Sequence, residues 1–432
     1  MQSYLLKFLY ISLLFVSLQA SQSFAQERRP LSLDECVAIA LEKHPSLRAS
    51  QKEIAVAGEQ YKESRSAYYP RASIDASFAR SEAALAIVPG ETETYQTVFK
   101  VDQKIYDFGR TGGSVDAARS TVAAREWDLS KTKTEIVYNV KESYYSVFKA
   151  TGFMKVQEAS VVQAEAHLRQ AKGFYEAGAK AKFDVTKAEV ELNQARLELI
   201  RARNAFNTAL ASLKTRMGLD QSFDLEISVS LPAAPDGANL EHVLSDALKR
   251  RPEIQNIEAR IKGGEATLKA ARGGYYPNLN ASGSYGYYDQ YPAGQGEDLF
   301  QEKNKRWSVG LSLNIPIFEG FVTQRKVSES VAVIESLKAQ KEALSNNVSL
   351  EATQAYLELQ NTEALISIAE SGLNKAKENL DIANGRYDAG VGTIIEVTDA
   401  QSSHIRAETD LVNARYDVAI ARAKLEKAVG MP

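Results

Sequence analysis

The chain has 432 residues, a formal charge of −3 and a pI near 6.0, a balance with no basic footprint and hence no support for nucleic acid binding. Its one cysteine, Cys36, excludes an intramolecular disulfide framework and any thiolate cluster for zinc or iron–sulfur.

At the N-terminus, Lys7 precedes an apolar run over residues 8–18, then small and polar residues and Ser23-Phe24-Ala25, an A-x-A-like site. This pattern predicts a secretory signal peptide, residues 1–25, cleaved after Ala25. The alternative, an uncleaved anchor, needs a longer run than this. No later stretch is long and apolar enough for a transmembrane helix, and Cys36 lies in a helical pattern as a small buried residue rather than a lipidated one.

Ser32-Leu33-Asp34-Glu35 is a capping box that opens a short helix, and Pro45 lets a second start at once; together they cover 33–68. The period then changes to two. Ala72, Ile74, Ala76 and Phe78 alternate with Arg71, Ser73, Asp75 and Ser77, and Tyr95, Phe99 and Val101 alternate with Gln96, Lys100 and Asp102, which predicts a β-hairpin over 71–106. A helical hairpin follows over 113–215, with its turn at 174–184. Before the turn, Val140, Val147, Met154, Val161 and Leu168 repeat every seven residues; after it, large residues alternate with Ala188, Ala195, Ala202 and Ala209. Such heptads impose coiled-coil packing, and the alanines let helix axes approach closely. At 1.5 Å per residue, a helix of about 60 residues is on the order of 90 Å long, enough to cross a compartment. Residues 219–239 contain Pro232, Pro235 and Gly237 with no helical period and form the connector.

The rest repeats this plan. An offset of 212 residues carries Tyr175 onto Tyr387, Gly178 onto Gly390, Ala188 onto Ala400 and Tyr144 onto Tyr356. Two repeats result, 26–218 and 240–432. The second has helices over 240–274, a β-hairpin over 278–317 and a helical hairpin over 323–428 with its turn at 386–396. In its hairpin, Trp307, Val309, Leu311 and Leu313 alternate with Ser308, Gly310, Ser312 and Asn314. Both turns read Tyr-acid-Ala-Gly, a short link, then acid-Val-Thr-x-Ala. The glycine supplies the left-handed end of one helix, and Asp184 or Glu396 sits near the positive end of the next.

Catalytic chemistry is missing. The four histidines, His44, His167, His242 and His404, show no metal-ligand spacing; His404 sits on the heptad seam, where a hydrogen-bonded core or interface residue is favoured over a pH switch. Gly390-Val391-Gly392 follows a helix, not a strand, and is no dinucleotide fingerprint. The residues therefore predict a non-enzyme that holds no cofactor and no metal.

In an exported protein, strands with one apolar and aromatic face and tyrosines near their ends favour a transmembrane barrel wall. Four strands cannot close a barrel, and an open edge in lipid leaves backbone groups unsatisfied, so the chain must assemble. Two copies supply eight strands and three supply twelve; periodicity does not choose between them.

The duplicated turns, the Tyr-Tyr-Pro strand entries at Tyr68-Tyr69-Pro70 and Tyr275-Tyr276-Pro277, Ile105-Tyr106-Asp107-Phe108-Gly109-Arg110 and the Ala-rich heptads resemble the TolC-type outer-membrane efflux family over residues 31–431. The resemblance implies a mixed α and β membrane protein. Its homotrimer forms a 12-stranded barrel in outer-membrane lipid, continued as a helical barrel into the periplasm of a Gram-negative bacterium. It implies the passive exit duct of a tripartite efflux or type I secretion system, working with a periplasmic adaptor (membrane fusion) protein and an inner-membrane transporter. By the same resemblance, the turns form a periplasmic tip that touches the adaptor. Its residues are Tyr175, Gly178, Ala179, Lys180, Lys182, Phe183 and Asp184 in the first turn, and Tyr387, Gly390, Val391, Gly392 and Thr393 in the second. Glu396 and Asp399 then fall at the pore constriction. One departure stands out: family members can carry arginine where this chain has Gly392, so Lys180 or Lys182 has to substitute. The competing reading is a periplasmic coiled-coil adaptor or tether without a barrel. Two helical hairpins and four alternating strands count against it.

Overall fold

A computed structural model describes residues 30–83, 90–228, 239–295 and 298–431. The signal-peptide assignment and residues 229–238 of the connector lie outside the described residues. The elements run α1 (Leu33–Lys43), α2 (Pro45–Arg65), β1 (Arg71–Ala83), β2 (Gly90–Tyr106), α3 (Arg110–Glu176), α4 (Lys182–Arg216), α5 (Leu240–Arg250), α6 (Pro252–Arg272), β3 (Asn278–Pro292), β4 (Lys305–Asn314), α7 (Val322–Asp388) and α8 (Ile394–Ala428). Each repeat thus contributes two short helices, a β-hairpin and a long helical hairpin. The chain divides into two compact units. One holds the chain up to Lys43 with Val140–Ala234 and Ala376–Val412; the other holds His44–Asn139, Pro235–Lys375 and Asn413–Pro432, so each draws on both repeats.

The second unit contains the sheet, a fully antiparallel β1-β2-β3-β4. Its register sorts the side chains by face. Ile74 pairs with Phe99, Phe99 with Tyr285 and Tyr285 with Trp307, while Ser73 pairs with Lys100, Lys100 with Ser284 and Ser284 with Ser308. One face is therefore apolar and aromatic, the other polar, with Lys100 bridging Asp75 at 2.9 Å. Trp307, Val309 and Leu311 are more than 70 % exposed in the single chain, an apolar surface that requires a non-aqueous neighbour. β1 and β4 each pair on one side only, so both edges carry unsatisfied backbone groups. Among the described residues no helix is long and apolar enough to cross a membrane.

Where strand gives way to helix, Asp107 Oδ2 accepts the Thr111 amide at 2.8 Å, and in the second repeat Glu319 accepts the Thr323 hydroxyl at 2.8 Å. These exits use positive φ at Phe108 (51°) and Gly109 (87°), and again at Gly320 (60°) and Phe321 (66°). The backbone shape recurs although glycine and phenylalanine have exchanged places. At the helix starts, Ser32 and Glu35 form the expected reciprocal cap (2.7 and 3.3 Å), and His44 Nδ1 accepts from the Ser46 amide at 3.2 Å. In the second unit Arg251, at the junction of α5 and α6, is buried and bonds Glu351 at 2.7 Å and Glu253 at 3.1 Å.

In the first unit, the described part of the connector is not merely a link. Leu31 and Ile227 form a parallel bridge, with the Leu31 amide donating to Glu226 O at 2.8 Å and the Ser228 amide to Leu31 O at 3.0 Å. The Tyr144 hydroxyl, fully buried, donates to Ser228 O. Sequence periodicity could not reveal this, because a single bridge has no period.

The alanine positions are packed as the heptads require: Ala188, Ala195 and Ala202 on α4, and Ala383 and Ala400 in the second hairpin, are buried. Ala202→Leu is therefore expected to overpack the helices at about 1–3 kcal/mol per site. Thermal melting of the assembled protein checks this; an unchanged midpoint would place that face in solvent.

Candidate functional site

The paired turns lie in the first unit, and their local chemistry follows from the duplicated motif. Gly178 (φ 70°) and Gly390 (φ 76°) both take the left-handed conformation that ends α3 and α7. The Gly178 amide donates to Tyr175 O at 2.9 Å and the Gly390 amide to Tyr387 O at 3.0 Å, closing the last helical turn in each case. Nothing crowds either glycine, so backbone conformation alone demands it. A β-branched residue there costs about 1–2 kcal/mol of strain, and Gly390→Val is expected to impair transport while trimers persist, as an export assay with a native gel would show.

The next helices start differently. Ala181 caps α4 without a side-chain bond, whereas the Thr393 hydroxyl accepts the Glu396 amide at 3.3 Å and lies 3.3 Å from the Glu396 carboxylate.

The two turns meet through a clasp. Tyr387 is 1 % exposed, packed edge-on against Phe174 at 5.7 Å, and its hydroxyl donates to Asp184 Oδ2 at 3.1 Å. Burial, then the bond to Asp184, pushes that hydroxyl up to about 12, so it stays protonated and donating. Lys180 Nζ sits 4.8 Å above the Tyr387 ring and donates to Gly392 O at 3.1 Å. Of the two candidate lysines, Lys180 thus occupies the clasp, while Lys182 is exposed outside it. A Cβ on Gly392 would lie 2.8 Å from Tyr387 N and 2.9 Å from Arg386 C, so no side chain fits there without a backbone shift. The cation has to arrive from the other turn.

The remaining turn residues are dispersed. Tyr175, Phe183 and Val391 are large and exposed, and the smaller Ala179 and Thr393 are exposed too. Glu396 is bonded by Arg386 Nε at 3.1 Å, and that hydrogen bond holds its carboxyl below the usual carboxylate range. Asp399, one helical turn on, is exposed and has no side-chain partner among the described residues.

Sequence reasoning missed Phe174, Arg386, the Gln170–Asp388 contact and the Gln401–Gln163 bond at 2.8 Å. Below the turns, His167 and Gln401 line a cavity of about 210 Å³, and burial lowers the imidazole pKa. His404, read from its seam position as a core or interface histidine, is largely buried and lies 3.8 Å from Glu408. Among the described residues no group of three or more His, Cys, Asp or Glu is placed to hold a metal ion.

Comparison with known proteins adds to this geometry. The family described as outer membrane efflux protein matches residues 37–219 and 243–431, one segment in each repeat. Among relatives, the chain is 25 % identical to outer membrane protein OprJ of Pseudomonas aeruginosa over 409 residues, covering 92 % of this chain and 84 % of that one. It is 24 % identical to outer membrane protein TolC of Vibrio cholerae, with 90 % and 89 % covered. A crystal structure of a membrane protein from Pseudomonas aeruginosa superposes with a TM-score of 0.82 at 25 % identity, covering 92 % of this chain and 90 % of that one. The Campylobacter jejuni CmeC outer membrane channel gives 0.81 at 18 %, with 92 % and 85 % covered. Family membership carries trimeric assembly within efflux systems, which supplies partners for the two open sheet edges. The chain belongs to the outer membrane efflux protein family, the non-enzymatic TolC-type outer-membrane channels of tripartite efflux and type I secretion systems that extend into the periplasm.

Proposed function

We propose that the paired turns are the periplasmic gate of this channel and the surface touched by a periplasmic adaptor, which couples the duct to an inner-membrane transporter. The chain itself conducts passively. The division into repeats 26–218 and 240–432, joined by a connector at 219–239, belongs to the same reading. The observation that carries it is the clasp: among the described residues the first-repeat turn is tied to the second by the Tyr387–Asp184 bond, the Lys180–Gly392 bond, the Gln170–Asp388 contact, and Phe174 and Lys180 on the Tyr387 ring. A joint made of so few polar contacts can be released by a partner at modest cost.

In this reading Asp399, brought to the threefold axis, forms a ring of carboxylates at the constriction, with Glu396 one turn away. Acidic rings at a narrow entrance favour cations. Purified protein in a planar bilayer is therefore expected to pass small, cation-selective currents that multivalent cations reduce from the periplasmic side. Because Arg386 offsets Glu396, Asp399→Ala should account for most of the loss of selectivity seen in the Glu396→Ala, Asp399→Ala double variant. Unaltered selectivity and block in the double variant would sink the constriction assignment.

A further inference from the structure

The internal duplication, combined with the trimer, specifies a second joint that a single chain cannot display. Within one chain the first-repeat hairpin (α3, α4) meets the second-repeat hairpin (α7, α8) in the turn region through side-chain contacts besides those of Lys180. Among the described residues these include Tyr387 to Asp184 at 3.1 Å, Phe174 to the Tyr387 ring at 5.7 Å, Gln401 to Gln163 at 2.8 Å, and Gln170 to Asp388. In a closed ring of three chains the hairpins alternate, so the other flank of each first-repeat hairpin faces the second-repeat hairpin of the next copy. Both hairpins share one backbone plan at an offset of 212 residues, so the joint between copies has the same frame with the residue sets exchanged.

That exchange turns the Tyr387–Asp184 pair into Tyr175 and Glu396, the Phe174–Tyr387 contact into Arg386 and Tyr175, and the Gln163–Gln401 pair into Lys375 and Glu189. We propose that Tyr175 of one copy docks against the bonded Arg386–Glu396 pair of the next, while Glu189 of the first faces Lys375 of the second.

Three observations support this. First, three of the exchanged pairs are different yet complementary: a hydroxyl meets a carboxylate, a guanidinium meets a tyrosine ring, and a neutral amide pair becomes an opposite-charge pair, while the Gln170–Asp388 contact becomes Ile382 and Glu176 and adds no bond. Second, the receiving side is already assembled, because Arg386 and Glu396 are 3.1 Å apart. Third, Tyr175 is 47 % exposed where its duplicate Tyr387 is 1 % exposed, and its hydroxyl has no partner among the described residues. Glu189, paired in the single chain with Lys172 at 3.5 Å, is half exposed and open to a second cation. Lys180 has no counterpart here, since its exchanged position is Gly392. The ring thus alternates a joint built on a buried tyrosine with one that is largely ionic, and added salt weakens the ionic joints first.

The proposal rests on the trimer and on the turns forming its tip, and the test separates the three. The full-length channel carrying Tyr175→Cys and Glu396→Cys is treated with a short bis-maleimide and run on a denaturing gel. Cys36 is buried and its thiol is pushed up to about 12, so it does not compete. The expected result is a covalent ladder ending at trimer, whereas the matched within-chain pair Asp184→Cys with Tyr387→Cys gives only a cross-linked monomer. Monomer alone from the Tyr175/Glu396 pair, in a preparation that is trimeric by native mass, overturns the proposed joint and leaves the trimer standing. A wild-type channel that is not trimeric overturns the assembly instead, and a ladder from the control pair overturns the tip geometry. If the Tyr175/Glu396 variant does not assemble, Lys375→Cys with Glu189→Cys decides: a ladder upholds the joint, and its absence in trimers rejects it.

Discussion

Changing Lys180 to alanine together with Tyr387 to phenylalanine is expected to leave the trimer assembled and raise its resting conductance in a planar bilayer about tenfold or more. The phenylalanine keeps the ring and its contact with Phe174, so only the hydroxyl bond to Asp184 is lost. A hydrogen bond to a charged group contributes about 1.5–3 kcal/mol. The lysine adds a cation over the ring, about 0.5–1 kcal/mol at a partly exposed site. Losing both removes about 2–4 kcal/mol per clasp, and 1.4 kcal/mol is already a factor of ten in an opening equilibrium. Lys182→Ala, outside the clasp, should leave conductance unchanged. A double variant with wild-type conductance would mean that the closed tip is held elsewhere.

The largest loss of stability is expected from Arg251→Ala. The Arg251 side chain is 7 % exposed; it bonds Glu253 at 3.1 Å and Glu351 at 2.7 Å, and lies 3.5 Å from the backbone oxygens of Lys427 and Ala428. One guanidinium thereby joins the α5–α6 junction, α7 and the C-terminal end of α8, where helix carbonyls favour a cation. Breaking a buried ion pair costs about 3–5 kcal/mol, and since Glu351 is half exposed the lower end applies. The melting temperature of detergent-purified trimer should fall by several degrees, with Arg251→Lys recovering only part, because an ammonium cannot replace the planar fork. A melting temperature within error of wild type would show that the carboxylates and carbonyls are satisfied by water.

Much of this architecture was legible in the order of residues, and for a definite reason. Helix and strand periods, capping boxes and glycine turns are set by neighbours a few residues away, so the 212-residue duplication, the two-faced strands and the left-handed glycines at 178 and 390 could all be read directly. Even the substitution of a lysine for a cation missing at Gly392 could be posed as a question. What the residues alone could not decide was which lysine answers it, or that the duplicated tyrosines differ, Tyr387 buried and Tyr175 exposed. Both depend on partners more than 200 positions away in the chain, Asp184 for Tyr387 and Gly392 for Lys180. The same holds for Glu396, which reads in sequence as an acid at a helix start and is held by Arg386, and for Leu31 and Ile227, whose bridge has no local pattern. Local order in this protein was determined by sequence; which identical motif becomes clasp and which becomes surface was decided only when two different hairpins were packed side by side.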